Sequence, residues 1–159
     1  MKTPLLPGQP APDFSALAIG GGYGEGTVVR LSDFAGRRLV LYFYPKDDTP
    51  GCTTQACALR DAWPDLSATG AAIFGVSVDG ADSHQAFVAK HSLPFPLLSD
   101  PDHHLVDAFG VWVEKIRQGE KSMGTERTTF VIDGGGQIAA VLRAVVPADH
   151  LGLLQAALR

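Results

Sequence analysis

With 159 residues, 45% of them apolar and 19% charged, the chain can bury a core without a disulfide or metal staple, and one domain over 1–159 is expected. A net charge of −4, with Lys and Arg scattered along the chain, leaves no basic footprint for nucleic acid. No apolar run approaches the 18 or so residues of a membrane span.

At the N-terminus, "MKTPLLPGQPAPDF" is interrupted by Pro4, Pro7, Pro10 and Pro12 before any apolar stretch reaches signal-peptide length. The expected compartment is the cytoplasm. Cysteines stay reduced there unless a disulfide between them is catalytic or redox-sensing. "GGGYGEG" (20–26), between "DFSALAI" and "TVVRLSDF", reads as a flexible hairpin connection, because its spacing fits neither nucleotide-binding glycine pattern.

"RLVLYFY" (38–44) is a continuous apolar and aromatic run, the pattern of a strand covered on both faces. Residues 52 to 67 read as one helix, with Ala56, Leu59, Ala62, Trp63 and Leu66 at three- and four-residue steps. "AAIFGVSV" (71–78) is a second buried strand, and "DSHQAFVAKH" (82–91) a helix capped by Asp82 or Ser83. "HLVDAFGV" (104–111) suggests a short helix, and "EKIRQGEKSMGTE" (114–126) a charged loop. "TTFVID" (128–133), "GGG" and "QIAAVL" (137–142) form a hairpin, and "PADHLGLLQAALR" (147–159) is a closing amphipathic helix with proline near its start. The alternation gives an α/β sandwich, a mixed central sheet flanked by helices, with strand order left open.

Both cysteines lie in "YPKDDTPGCTTQAC" (44–57). If strand 38–44 is central, Cys52 emerges at its carboxyl end, where open α/β sheets place active sites. In the first turn of the next helix, free amides and the positive end of the helix dipole stabilise a thiolate. Cys57 sits five residues on. Along an ideal helix the two Cα atoms stand roughly 8.6 Å apart, whereas disulfides need less than about 7 Å. Either the pair never bonds or the helix start unwinds when it does.

The segment "FYPKDDTPGCTTQAC" resembles the active-site segment of the peroxiredoxins, in particular the bacterioferritin-comigratory or Q-type subfamily. Pro45, Thr49 and Cys52 meet the family pattern Pro-x-x-x-Thr/Ser-x-x-Cys, and the likeness continues through "LSDFAGRRLVLYFYP", "FPLLSDPDHHLVDAFGVW" and "RTTFVID". The resemblance implies a thioredoxin-like fold and a thiol peroxidase acting on hydrogen peroxide and alkyl hydroperoxides. It makes Cys52 the peroxidatic cysteine, passing through a sulfenic acid. Thr49 would hydrogen-bond the thiolate and the incoming peroxide, and Pro45 would shield the pocket from water. Arg127 would stabilise the thiolate and the charge of the breaking O–O bond. Cys57 matches the resolving cysteine, whose disulfide a thioredoxin or similar dithiol reduces, and Gln55 falls in a supporting network. Q-type relatives imply a monomer with no cofactor. Taken singly, Thr49 is an ordinary turn residue, Pro45 a strand terminator and Arg127 a surface partner of Glu126.

Other readings are weaker. Zinc at Cys52 and Cys57 lacks a second close ligand pair, since His84 and His91 lie seven apart and the adjacent His103 and His104 point different ways. A disulfide reductase would want C-x-x-C. A non-enzymatic redox sensor that changes partners on oxidation is the alternative from another class.

Overall fold

The computed structural model describes residues 5–159; Pro4, named above, lies outside them. β1 (Ser15–Ile19) and β2 (Thr27–Arg30) flank the glycine segment as an antiparallel hairpin, and a 3₁₀ turn (Leu31–Phe34) leads on to β3 (Leu39–Phe43). After β3 come α1 (Pro50–Asp61), α2 (Trp63–Ala68), β4 (Ala72–Ser77), α3 (Ala81–His91), β5 (Leu97–Ser99) and α4 (His104–Ala108). The chain closes with β6 (Trp112–Arg117), β7 (Glu120–Thr125), β8 (Thr128–Ile132), β9 (Ile138–Leu142), a 3₁₀ turn (Pro147–Asp149) and α5 (His150–Ala157).

Seven strands form one sheet in the order β2-β1-β5-β4-β3-β8-β9. β3 runs parallel to β4 and β4 to β5, while β3–β8, β8–β9, β1–β2 and β1–β5 are antiparallel. β3 is apolar throughout because both of its faces are covered. Leu39, Leu41 and Phe43 pack with Phe109, Phe130 and α4 on one side. Val40, Tyr42 and Tyr44 pack on the other with Cys52, Ala56 and Leu59 of α1, Phe87 of α3 and Leu154 of α5. The strand thus delivers the chain into residues 44–52 from the centre of the sheet.

Three sequence expectations are corrected, and one strand was not anticipated. The helix expected over 52–67 is two helices meeting at Ala62, because Pro64, in the first turn of α2, has no amide hydrogen to continue the ladder of α1. α3 is capped by Gly80 and not by Asp82 or Ser83; the Ser83 hydroxyl donates instead to Asp47 Oδ2 at 2.8 Å. The charged stretch 114–126 is no loop. It pairs as most of the β6–β7 hairpin, turning through Gln118 and Gly119 at φ 51 and 79, the left-handed pair of a type I′ turn. Its faces are largely exposed, so no apolar alternation marks it. β5, three residues long, has too few positions to show a period.

α5 docks on the sheet through His150, which is buried and whose Nε2 lies 2.9 Å from Thr129 Oγ1 on β8. Burial, and secondarily the charge of Arg127, pushes this imidazole down to about 4. Between about pH 6.5 and about pH 4 the unfolded chain therefore binds a proton that the folded chain does not. Stability from this group is complete above pH 6.5 and is lost as pH falls towards 4, by about 3 kcal/mol. Urea denaturation of wild type and His150→Gln across this range should show a shallower acid slope in the variant.

Candidate active site

Thr49 has extended backbone (φ −94, ψ 157) and caps α1; Pro50 follows in the first turn, where its fixed φ suits the helix and its missing N–H costs nothing. The first helical bond runs from Thr53 N–H to the Thr49 carbonyl at 2.8 Å, so the amides of Gly51 and Cys52 are not spent inside the helix. Cys52 is thereby set in the first turn, 1% exposed, with the helix dipole directed at its sulfur. Both cysteines are free thiols.

Arg127, immediately before β8, reaches across to α1. Its Nη1 donates to Cys52 Sγ at 3.3 Å and to Gln55 Oε1 at 2.6 Å. Gln55 is itself buried, so the guanidinium is held between the thiol and a fixed acceptor. Glu126 is not its partner: that carboxylate takes Arg143 at 3.0 Å and the Thr128 hydroxyl at 2.7 Å. Gly51 makes the approach feasible, because a Cβ there would stand 2.6 Å from Arg127 Nη2 and 3.2 Å from Pro147 Cγ. Lys115, on the hairpin, donates to the Thr125 carbonyl at 2.6 Å. Its pKa is lowered by desolvation first and then by Arg117 and Arg127, while Cys52 acts in the opposite sense.

Pro45 is half-buried two residues past β3, after Tyr44, whose amide donates to the Val76 carbonyl at 3.0 Å. The Thr49 hydroxyl donates to the Lys46 carbonyl at 2.8 Å rather than to Cys52. Its proton is committed, and the lone pairs of its oxygen remain to accept.

The turn that carries these residues is pinned at Asp47. Its carboxylate accepts from Tyr44 Oη at 2.5 Å, Ser83 Oγ at 2.8 Å and His84 Nδ1 at 2.7 Å, and its amide donates to Asp79 Oδ2 at 2.8 Å. His84, fully buried, also directs Nε2 at the Leu98 carbonyl at 2.9 Å, so both ring nitrogens face oxygen acceptors. Burial, reinforced by Asp47, pushes the Tyr44 phenol well above its ordinary range and keeps it a donor.

Asp48 comes next, with left-handed backbone (φ 57). Its carboxylate accepts from Lys90 Nζ at 2.6 Å and from His91 Nε2 at 3.1 Å, and these bonds, Lys90 first, hold it below the usual carboxylate range. Half-buried Cys57 lies on α1 with its Sγ 3.8 Å from His91 Nδ1. The structure thus gathers Cys52, Arg127 and Gln55 at one point, with Thr49 and Pro45 on the adjoining turn. Gly51, Lys115, Asp48 and His91 were missed by sequence reasoning. For Gly51 the signal was available: a glycine directly beside a candidate nucleophile implies close approach by another group.

A buried thiol at a helix N-terminus, held by a guanidinium on a mixed sheet flanked by helices, belongs to the thioredoxin-like class of proteins. The chain belongs to the AhpC/TSA family, whose model matches residues 7–141. Within that family it groups with the bacterioferritin-comigratory and Q-type peroxiredoxins. Peroxiredoxin Bcp of Bacillus subtilis is 48% identical over 144 residues, 91% of this chain and 88% of that protein. Peroxiredoxin Q of Xanthomonas campestris superposes with a TM-score of 0.82 at 41% identity, over 91% of this chain and 89% of the other. With the same figures it matches the bacterioferritin comigratory protein of that organism, for which an alkyl peroxide reduction activity is described.

Gly51→Ala should separate helix stability from reactivity. Alanine favours the helix by about 1 kcal/mol over glycine, yet its methyl displaces the guanidinium. Alkylation of Cys52 by iodoacetamide at neutral pH should slow in Gly51→Ala. In Arg127→Met it should slow by about tenfold or more, the scale of one opposite charge at contact.

Proposed function

We propose that this protein is a thiol peroxidase that reduces hydrogen peroxide and alkyl hydroperoxides through Cys52. The observation that carries the reading is the Arg127 guanidinium 3.3 Å from Cys52 Sγ at the start of α1. The Cys52 thiolate attacks the terminal oxygen of R–O–OH, and the O–O bond breaks as an S–O bond forms. Sulfur is oxidised to the sulfenic acid, and the alkoxide takes a proton to leave as alcohol, or as water when R is hydrogen. Arg127 stabilises the thiolate before attack and the departing oxygen during it. The Thr49 hydroxyl oxygen accepts a hydrogen bond from the incoming peroxide. Pro45 limits access by water.

Cys57 then attacks the Cys52 sulfur and expels the oxygen as water, closing an intramolecular disulfide that a thioredoxin-like dithiol reduces. The same reading makes residues 1–159 one functional domain, acting as a monomer in the cytoplasm. Support comes from the family, from the activity described for the Xanthomonas relative, and from the placement of the two thiols on one helix.

Peroxide consumption with a thioredoxin system tests the assignment. Cys52→Ser should lose turnover altogether, because a serine hydroxyl is not ionised near neutral pH; substantial turnover by this variant would sink the reading. Cys57→Ser should consume about one equivalent and stop with sulfenic acid on Cys52, or about two where excess peroxide carries it to sulfinic acid, as read by mass spectrometry.

Closing the disulfide must break the first turns of α1, since five helical residues separate the cysteines by roughly 8.6 Å. Amide exchange across 50–60 should therefore be faster in the disulfide form than in the dithiol form, with β3 little changed. Equal protection in the two forms, with the bond confirmed by peptide mapping, would contradict this.

A further inference from the structure

Cys57 has a base beside it that the peroxide step does not use. His91, at the end of α3, is bonded at both ring nitrogens: Nε2 to Asp48 Oδ1 at 3.1 Å, and Nδ1 to Cys57 Sγ at 3.8 Å. The Asp48 carboxylate also takes Lys90 at 2.6 Å and only accepts, so the hydrogen of the ring sits on Nε2. The lone pair of Nδ1 is then the one directed at the thiol. Nucleophile, imidazole and orienting carboxylate stand in the order that activates thiols elsewhere in enzyme chemistry.

The surroundings favour this arrangement. The His91 side chain is only 17% exposed. The ring stands edge-on to Phe87, with centroids 5.3 Å apart. From α1, Arg60 donates to the His91 backbone carbonyl at 2.8 Å while also holding Asp61 at 3.0 Å. The charged and titratable groups facing this ring are thus Asp48 from the turn, Lys90 through Asp48, and Cys57 and Arg60 from α1.

We propose that His91, oriented by Asp48, is the general base that ionises Cys57 for its attack on oxidised Cys52. This rests on the reading of Cys57 as the resolving thiol. In the intact helix, Nδ1 takes the Cys57 proton. When the helix start unwinds, the Cys57 thiolate attacks the sulfur of Cys52–S–OH; the S–S bond forms as the S–O bond breaks. Cys57 sulfur is oxidised, Cys52 sulfur is reduced, and the departing hydroxide takes the proton from the imidazolium to leave as water.

A free thiol is only a few per cent ionised at neutral pH, so a base that ionises it contributes at most about 30-fold. The contribution vanishes in alkali, where the thiol ionises unaided. The test mixes dithiol protein with one equivalent of hydrogen peroxide, quenches at intervals, and follows dimedone-trapped sulfenic acid and Cys52–Cys57 disulfide by mass spectrometry. It covers about pH 6 to about pH 9. In His91→Phe, which keeps a ring against Phe87, the second step should slow by about 10- to 30-fold at neutral pH. The deficit should close as pH rises. His91→Gln should behave alike, and Asp48→Asn, whose side chain tolerates the left-handed backbone, should show a smaller deficit of the same shape. Equal second-step rates, a deficit constant across pH, or an equal slowing of the first step would overturn the inference while leaving Cys57 as resolving thiol. Absence of a Cys52–Cys57 disulfide in wild type would overturn both, and peptide mapping tells the cases apart.

Discussion

One guanidinium joins the two halves of the site. Arg127 leaves the chain beside β8, yet its Nη1 is bonded to a sulfur and an amide oxygen on α1. That bridge works because β3 lies between β4 and β8 and delivers α1 over the same face from which the arginine rises. It also accounts for Gly51, since any larger residue would occupy the space of the guanidinium. Burial of Cys52 and of Gln55 removes competing water, so a contact of modest strength in solvent becomes a strong one.

The second constraint is length. Both thiols sit on one twelve-residue helix, and its geometry forbids their union while it stays intact. The helix therefore holds the two sulfurs apart for as long as it stays wound. In the intact helix Cys52 is almost fully buried. Cys57 lies against His91, on a different face of α1 from Cys52.

How much of this is legible in the sequence depends on the range of the contacts involved. β3 and β4 show themselves because continuous apolar runs follow from two-sided burial, and the β8–β9 hairpin because its turn residues are local. The segment around Cys52 is legible through short spacings alone: strand, turn, proline, cysteine. The β6–β7 hairpin is hidden because it stands off the main sheet with wet faces, so charged residues fill it as they fill a loop. The break at Ala62 turns on a single proline within an otherwise helical period. Asp48, His91 and Cys57 meet only because α3 packs beside α1, and the bond between Cys57 and His91 spans 34 positions. No local pattern encodes that meeting, and His91 alone looks like a helix terminus.

The Asp47 anchorage has a consequence for how the protein can be tuned. Tyr44, Ser83, His84 and Asp79 fix this residue from three sides, and the backbone changes hand at Asp48 immediately after it. The anchorage acts as a fixed bearing: four side chains bonded to one residue hold the exit from β3, and α1 starts beyond it at Pro50. The contacts that hold the exit from β3 and those that hold the start of α1 are thus neighbours on one loop-and-helix unit but separate, so each set can be altered while the other is kept.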